Sequence, residues 1–355
     1  MPKANPKRGL TGSDLQNYAR IVKTMKSITY LALAIGIIAI IVSSATAIVL
    51  LGKINAIKNL TLTPHNGTTA ATTTATAQST LRGIGDPLNA SQLSVINNGP
   101  NAYYEKAGQM YLNGSLTNGV YPGANKVKGL PVDNKTTVIY LGSITCIFCG
   151  ENRWAMALAL SRFGSFSTLY KGYSSLGDGD VPTLYWAPLN YNISSDYIGN
   201  GYSSKYINFL SIEDTHPISG GFALNTFGQM QSNIERYNNA TYNQAFNYIV
   251  NLSSNKTTAF SGTPYTIWGT EQFSGADAVD FGNSSSSATL QIAGMTHAQI
   301  LDQFANPNDQ FGWTEYAAAD VYIAALCSSL PNSTRSSVSA CSLPAILQIG
   351  SQSFK

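Results

Sequence analysis

The spacing of apolar and polar positions changes along the chain, and these changes predict a mixed α/β fold. A short apolar run at 138–141 is typical of a buried central strand. The Ala- and Leu-rich segment 147–162 that follows it predicts a helix ended by Gly164. Further strands are expected at 166–172, 183–187 and 206–212, and another at 265–268 after a loop.

Helical patterns flank these predicted strands. Residues 88–113 predict one or two amphipathic helices around an Asn-Gly-Pro break, and helical patterning returns in 225–252. Thr296 is placed to cap a helix over 296–304. Residues 313–332 predict a helix that ends before Pro331, and a second short helical segment follows it.

One apolar segment is long enough to span a membrane. Residues 27–52 hold no charged side chain, and as a helix they exceed the roughly 30 Å hydrocarbon core of a bilayer. The preceding residues, 1–26, carry six basic side chains against one acidic, so the positive-inside rule predicts a cytoplasmic N-terminus. Small residues at 44–47 leave a cleaved secretory signal as the alternative, but apolar character continues to Leu51, which favours a retained anchor in membrane lipid. Either way, residues 53–355 are expected outside the cell.

The composition excludes several classes of function. Only 11% of the 355 residues are charged, against about 25% in ordinary soluble domains, and 21 basic residues face 18 acidic ones. So few Lys and Arg provide no electrostatic footprint for nucleic acid. The three His residues argue against a histidine-rich metal centre, and neither a metal nor a cofactor is expected.

The polar surface of the exported part fits two environments. Eleven Asn-X-Ser/Thr sequences all lie beyond the apolar segment, as expected for a glycosylated outer surface. Few charges would also suit the acidic surroundings of an acidophile, because they limit self-repulsion and the pH dependence of stability. A low-charge, glycan-covered surface at neutral pH is the competing explanation.

The cysteines carry the clearest candidate chemistry. Cys146 and Cys149 form a C-I-F-C sequence between the predicted strand and helix, with Cys146 near the helix N-terminus. Unpaired helix amides and the helix dipole stabilise a thiolate there, and a second thiol one turn away can resolve a mixed disulfide. Half a zinc site and a redox-inert disulfide are the alternatives, although Cys327 and Cys341 are spaced as C-x13-C rather than as a second zinc knuckle. Haem attachment would need a His where Gly150 stands.

The strand, the C-x-x-C sequence, the helix and a later Gly-Thr-Pro before a strand together resemble the thioredoxin-like fold. The long separation between Cys149 and Pro264 is similar to that of the exported DsbA/DsbG class, which has a helical insertion between its two halves. The anchored, sequon-rich layout also resembles an uncharacterised archaeal group of membrane-anchored thioredoxin-like proteins. The resemblance implies that Cys146 is the nucleophile, that Cys149 is the resolving thiol, and that Pro264 is a cis-proline with Thr263 pairing to substrate backbone.

The sequence departs from that family between and after the cysteines. Ile147 and Phe148 stand where common oxidoreductases of this fold have Pro or His. No acidic residue just before the cysteines offers a buried proton acceptor. Glu151 is a candidate substitute, but the helix dipole favours reading it as a solvated first-turn carboxylate.

The predicted organisation has five parts. They are a basic cytoplasmic tail (1–26), a transmembrane helix (27–52), a Thr-rich stalk (53–80), a thioredoxin-like α/β ectodomain with a helical insertion (81–312) and a helical C-terminal extension (313–355). A Cys327–Cys341 disulfide, the simplest pairing beside the adjacent C-x-x-C, would staple the extension. Such a staple is expected outside the cell.

Two functions from different classes follow. The first is a membrane-anchored thiol–disulfide oxidoreductase or isomerase that acts on the thiols and disulfides of exported proteins, with room for a membrane redox partner. The second is a non-catalytic cell-surface binding or scaffold glycoprotein that keeps the same fold. Acidic surroundings would favour the second, because little thiolate forms at low pH and exchange is then slow.

Overall fold

A computed structural model describes residues 85–354, apart from 117–119, 121–123, 145, 175–179, 188–198, 214, 219–220, 225–233, 236–238, 253–264, 275–291, 293 and 309. All described residues belong to one unit, Ala71–Lys355. The predicted tail, transmembrane segment and stalk lie outside the described residues. Among the described helices, none combines the length and the apolar character that a membrane crossing requires.

The described chain contains both helices and strands, which confirms the predicted mixed α/β class. The helices are α1 (Ala90–Asn97), α2 (Asn101–Leu112), α3 (Ile147–Leu160), α4 (Ala240–Leu252), α5 (His297–Ala305), α6 (Gln310–Ser329), α7 (Asn332–Arg335) and α8 (Pro344–Ser353). The strands are β1 (Asn125–Lys126), β2 (Thr136–Gly142), β3 (Ser165–Phe166), β4 (Tyr170–Tyr173), β5 (Pro182–Tyr185), β6 (Tyr202–Ser203), β7 (Ile207–Glu213), β8 (Thr215–Ile218), β9 (Gly221–Leu224), β10 (Tyr265–Trp268) and β11 (Glu271–Ser274).

The main sheet places β2 in its interior. Its strand order is β1-β11-β10-β2-β7, in which β2 and β7 run parallel and the other neighbours are antiparallel. Strand β2 pairs with both neighbours along its apolar run, so that Leu141 lies opposite Tyr265 on one side and Ile212 on the other. The chain then passes through α3 before it returns to β7, which makes β2–α3–β7 a βαβ crossover.

Alternate residues of β2 face two different hydrophobic clusters. Val138 and Tyr140 pack in the larger cluster, with the buried residues of α3 and α6. Ile139 and Leu141 pack in the second cluster, with the apolar side of α4. Because successive side chains of a strand point to opposite faces, the sheet is covered by helices on both sides.

Helix α6 is the largest contributor to the helical layer. Its residues from Phe311 to Cys327 are buried, and it contacts α2, α3 and α8. The predicted boundary between 312 and 313 falls inside this helix, so the segment expected as an extension packs into the same core as α3. The disulfide Cys327–Cys341 is confirmed, and it joins the end of α6 to the 3-10 helix Ser339–Ser342.

Several sequence predictions agree with the elements. The Asn-Gly-Pro break separates α1 from α2, and Thr296 caps α5 through a capping box with Gln299. The strand expected at 166–172 is instead divided between β3 and β4. Strands β8 and β9 pair antiparallel, and the helical pattern in 225–252 corresponds to α4 in its described part.

Buried carboxyl groups lie between the helices that cover the sheet. Glu315 and Asp320 of α6 and Glu151 of α3 are all fully buried. The expectation that Glu151 is a solvated first-turn carboxylate is therefore wrong, because α6 covers that side of α3. Burial raises the pKa of Glu315 well above its usual range, and the charge of Glu151 raises it further. Burial also raises the pKa of Asp320, with a smaller contribution from Glu105.

These raised pKa values lower the stability of the fold as the pH rises. A carboxyl group whose pKa is lowered by folding has the opposite effect. A raised pKa means that the folded state holds a proton that the unfolded chain releases above the ordinary pKa of about 4.5. The contribution of Glu315 is therefore complete below that pH and is lost as the pH rises towards the folded-state pKa. His297 opposes it, because burial lowers its pKa to about 4 and stability is lost as the pH falls from 6.5 towards that value.

We expect Glu315→Gln to remove part of this dependence. At neutral pH the variant should have a larger free energy of unfolding than the wild type. This difference should decrease by about 1.4 kcal/mol for each unit by which the pH is lowered towards the ordinary carboxyl pKa. Urea unfolding at a series of pH values measures this difference. The Asp302→Asn change, which replaces an exposed carboxyl group on α5, is the matched control. Parallel curves for Glu315→Gln and the wild type would contradict the assignment.

We expect the Cys327→Ala/Cys341→Ala variant to lose about 3 kcal/mol of unfolding free energy, since the bridge closes a loop with a sequence separation of 14 residues. Denaturant unfolding measures the loss. A thiol reductant should destabilise the wild type by a similar amount and leave the double variant unchanged. Equal sensitivity of the two proteins to reductant would show that the bridge contributes nothing.

Candidate active site

The cysteine pair lies where the central strand β2 leads into helix α3. Strand β2 ends at Gly142, and α3 begins at Ile147 with Cys146 as its N-cap residue. The Cys149 backbone N–H donates to the Cys146 Sγ at 3.4 Å, so a sulfur occupies the place that a Ser or Asp oxygen takes in ordinary helix caps. The structure thus brings both predicted cysteines together at one helix N-terminus.

The two thiols differ in exposure, and burial changes the ionisation of Cys149. Neither is part of a disulfide; Cys146 is partly exposed and Cys149 is fully buried. Burial raises the pKa of Cys149 well above its usual range, and the hydrogen bond and charge of Cys146 raise it further. Arg153 and the Ser143 N–H, which donates to the Cys149 Sγ at 3.4 Å, act in the opposite direction. One accessible thiol at a helix N-terminus therefore accompanies one sheltered thiol that retains its proton.

Among the described residues of α3, the accessible surface lies at the start of the helix. Phe148, between the cysteines, is 42% exposed, whereas every residue of α3 from Cys149 to Leu160 is buried. A reactant therefore reaches the pair across Cys146 and Phe148 rather than along the helix.

A buried ion pair lies behind the cysteines. Arg153, one turn after Cys149, is fully buried and faces Glu213 at the end of β7. Its Nη2 donates to the two carboxylate oxygens at 2.7 and 2.9 Å, and its Nε donates to one of them at 3.2 Å. The same Nη2 donates to the Ser143 carbonyl oxygen at 2.9 Å. Arg153 therefore connects α3, β7 and the turn that carries the cysteines.

Charge and aromatic packing hold this ion pair in place. Burial raises the pKa of Glu213, and the charge of Arg153 counteracts that effect. Burial is the largest effect on Arg153 and lowers its pKa, but the combined effects of Glu213, Tyr140 and Cys149 outweigh burial and raise it. The guanidinium carbon lies 5.4 Å from the ring centre of Tyr140 and 5.8 Å from that of Tyr185, within the range of cation–π attraction.

Thr183 of β5 fixes the first turn of α3 from another direction. Its hydroxyl donates to the Gly150 carbonyl oxygen at 2.7 Å and receives a bond from Arg153 Nη1 at 3.4 Å. Its carbonyl oxygen lies 2.7 Å from His297 Nε2, at the start of α5. The sequence did not single out Arg153, Glu213 or Thr183. An arginine one turn after Cys149, at the start of the apolar part of the helix, is the one signal that it offered.

The remaining predicted site residues, Thr263 and Pro264, lie outside the described residues. The next residue, Tyr265, pairs with Leu141 at the end of β2 that leads to the cysteines. The substrate-binding role of Thr263 and Pro264 stays a prediction. Within the described ranges, no group of three or more His, Cys, Asp or Glu side chains is arranged to hold a metal ion.

We expect single substitutions of the ion pair to destabilise the fold strongly. Arg153→Met leaves the Glu213 carboxylate buried without its partner, and Glu213→Leu leaves the Arg153 guanidinium buried without its partner. Each single substitution should lower the free energy of unfolding by about 3–5 kcal/mol. The Arg153→Met/Glu213→Leu double variant should recover most of that loss, because neither charge remains buried. Urea unfolding of the four proteins gives the coupling free energy. Additive losses in the double variant would contradict a stabilising pair.

Comparison with known proteins places the chain in a family. No curated protein and no solved structure matches the sequence. The family described as "Domain of unknown function (DUF929)" matches residues 126–328, which is more than half of the 355 residues. The match begins in β1 and ends in α6, and it includes the cysteine pair, the buried ion pair and the central strand. The chain belongs to the DUF929 family.

Proposed function

We propose that this protein is a membrane-anchored, extracytoplasmic thiol–disulfide oxidoreductase or isomerase that works through Cys146 and Cys149. The observation that carries the proposal is the asymmetry of the pair. Cys146 is accessible at a helix N-terminus, where its sulfur accepts the Cys149 N–H, and Cys149 is buried one turn away. A nucleophile and a resolving thiol require this difference in access.

The surrounding elements support a thioredoxin-like fold for the domain. A C-x-x-C sequence within a βαβ unit is the pattern associated with thioredoxin-like redox proteins, and here it joins β2 to α3 in the β2–α3–β7 crossover. The antiparallel strands β10 and β11 extend the sheet on the other side of β2. Helix α5 follows them along the chain, as the resemblance implies for a closing helix.

The reaction proceeds in two exchanges, written here in the reducing direction. The Cys146 thiolate attacks a substrate disulfide, whose S–S bond breaks, and the departing sulfur takes up a proton. The Cys149 sulfur then releases its proton and attacks the Cys146 sulfur of the mixed disulfide, which frees the second substrate sulfur as a thiol. The substrate gains two electrons from the cysteine pair, which becomes a disulfide, and the reverse sequence oxidises a substrate.

Features of the described surface support a location outside the cytoplasm. The disulfide Cys327–Cys341 is of a kind that persists in oxidising compartments. Six sequon asparagines lie within the described residues, and all of them are exposed: Asn89, Asn113, Asn134, Asn239, Asn251 and Asn332. Exposure is the condition that glycosylation of such residues requires. The membrane anchor rests on residues 27–52, and the partners follow from the reaction: exported protein thiols and disulfides, with a membrane redox partner to renew the pair.

A non-catalytic cell-surface binding or scaffold role is the second candidate. The raised pKa values of Glu315 and Asp320 favour the folded state at acidic pH. At such a pH a thiol at Cys146 would be mostly protonated and exchange would be slow. In this role the cysteine pair would serve only the packing of the domain.

We expect the full-length protein to reduce insulin with dithiothreitol as the electron source. Cys146→Ser should reduce the rate to that of dithiothreitol alone, because it removes the nucleophile. Cys149→Ser should retain the first exchange and accumulate a mixed disulfide with insulin, because the resolving thiol is absent. Turbidity measures the rate, and non-reducing electrophoresis detects the mixed disulfide.

The Cys327→Ala/Cys341→Ala variant is the matched control, because it removes the other two cysteines and should keep activity at temperatures where it is folded. A wild-type rate equal to that of Cys146→Ser across the pH range would exclude the oxidoreductase and leave the binding role. Faster alkylation of Cys149 than of Cys146 would also contradict the proposed division of labour.

A further inference from the structure

One backbone N–H is directed at the sheltered sulfur of the cysteine pair. The Ser143 N–H, in the turn between β2 and α3, donates to the Cys149 Sγ at 3.4 Å. Both residues are fully buried, so solvent cannot supply this hydrogen bond instead. An amide held in place stabilises a negative charge that forms on the sulfur. The position of Ser143 therefore affects how readily Cys149 ionises.

The carbonyl group of the same residue is held by Arg153. The Arg153 Nη2 donates to the Ser143 carbonyl oxygen at 2.9 Å. The Cys146 N–H reaches that oxygen at 3.3 Å, so the shorter, charge-assisted bond from Arg153 is the stronger of the two. Ser143 thus has its N–H on the sulfur and its carbonyl oxygen on the guanidinium. A shift of the guanidinium would turn the amide away from Cys149.

Arg153 is itself fixed by groups on two other elements. Its Nη2 and Nε donate to the Glu213 carboxylate of β7, and its Nη1 donates to the Thr183 hydroxyl of β5 at 3.4 Å. That hydroxyl donates in turn to the Gly150 carbonyl oxygen, in the first turn of α3. A planar guanidinium directs its N–H groups at fixed angles, which a lysine ammonium cannot reproduce. The donor to Ser143 is therefore in place before any reaction begins.

The ionisable groups next to this network lie on three elements. Cys146 is on the same helix, Tyr140 of β2 has its ring 5.4 Å from the guanidinium carbon, and Glu213 of β7 pairs with Arg153. Within the described part of the chain, the hydrogen bonds of Arg153 go to oxygen atoms and not to the cysteine sulfurs. The hydrogen-bonded route from Arg153 to Cys149 therefore passes through Ser143.

We propose that Arg153 is a positioning residue for the resolving step, because it holds Ser143 with its N–H directed at the Cys149 thiolate. This inference rests on the proposed function, since it assigns a role within the second exchange. In that exchange the Cys149 S–H proton leaves for solvent, the Cys149–Cys146 bond forms, and the bond from Cys146 to the substrate sulfur breaks. The substrate sulfur leaves with the bonding electron pair and takes up a proton from solvent, so Arg153 and Ser143 keep their protons.

The test measures the second exchange in the reduced full-length protein with the aromatic disulfide dithiobis-nitrobenzoate. Attack by Cys146 releases one coloured thiolate, and attack by Cys149 on the mixed disulfide releases the second. The Arg153→Met/Glu213→Leu variant leaves no buried charge and removes the donor to Ser143. Its second release at neutral pH should be about threefold slower than that of the wild type, and its first release should be unchanged.

The size of this effect follows from two opposing changes. Loss of the oriented N–H should raise the ionisation midpoint of Cys149 by about one pH unit, which is a tenfold loss of thiolate. A more basic thiolate is also a better nucleophile, with a Brønsted coefficient of about 0.4–0.5, which recovers about threefold of that loss. The ¹³Cβ resonance of labelled Cys149, followed against pH in a Cys146→Ser background, measures the midpoint without any need for a reagent to reach the sulfur.

Two further variants separate positioning from charge and from fold stability. Arg153→Lys keeps the buried charges paired but lacks the planar fork, so it should also raise the midpoint. A wild-type midpoint in Arg153→Lys beside a raised one in the double variant would show that charge alone acts, and it would overturn the inference. Arg162→Met is the matched control, because Arg162 follows the other end of α3 and also holds carbonyl oxygens, those of Gly99 at 2.7 Å and Asn97 at 3.0 Å. It should destabilise the fold and leave both release rates unchanged.

The double variant also separates a positioning role from a structural one, because most of its stability should be restored. A purely structural ion pair would restore the second release together with the free energy of unfolding, and that result would overturn the inference even if insulin reduction is normal. A slower second release and a raised midpoint, in a protein whose wild type fails to reduce insulin, would keep Arg153 as the positioning residue and reject the proposed enzyme.

Discussion

The geometry of the cysteine site depends on the buried contact between Arg153 and Glu213. This contact joins the helix that carries Cys149 to the end of β7, and it also holds the Ser143 carbonyl oxygen of the turn before Cys146. The Arg153 guanidinium thus holds α3, the end of β7 and the turn at Ser143 together. Because both charges are buried, separating them would leave each charge without a partner, at a large cost in free energy. The start of α3 therefore has little freedom to move away from the sheet.

Much of the framework around this contact follows from local patterns in the sequence. The apolar run of β2, the Ala- and Leu-rich α3, the break between α1 and α2 and the Thr296 cap each depend on residues close together in the chain, so spacing and capping rules identify them. The Cys327–Cys341 bridge was also predictable, since the other two cysteines are too close together to favour another pairing. The cysteine site itself shares this property, because a strand, a turn and a helix cap are all local.

The parts that the sequence did not predict are contacts over long separations. Glu213 is an acidic residue at the end of an apolar strand, and only the parallel pairing of β2 with β7 brings it to Arg153. Glu151 looks like a solvated first-turn carboxylate until α6, which begins far along the chain, covers it. The Tyr140 hydroxyl is buried without a hydrogen-bond partner among the described residues, which the sequence does not reveal, because this depends on how Gly142, Arg153 and Trp186 pack around it.

The buried acids of α6 have a consequence for how the chain folds in different surroundings. Glu315 and Asp320 bind protons more tightly in the native state than in the unfolded chain, so hydrogen ions act as ligands of the native state. A ligand that binds the folded form more tightly than the unfolded form increases the folded population as its concentration rises. Through these two groups, the passage of one such chain from neutral to acidic surroundings would therefore favour its folding, against the opposing contribution of His297, with no binding partner other than the solvent itself.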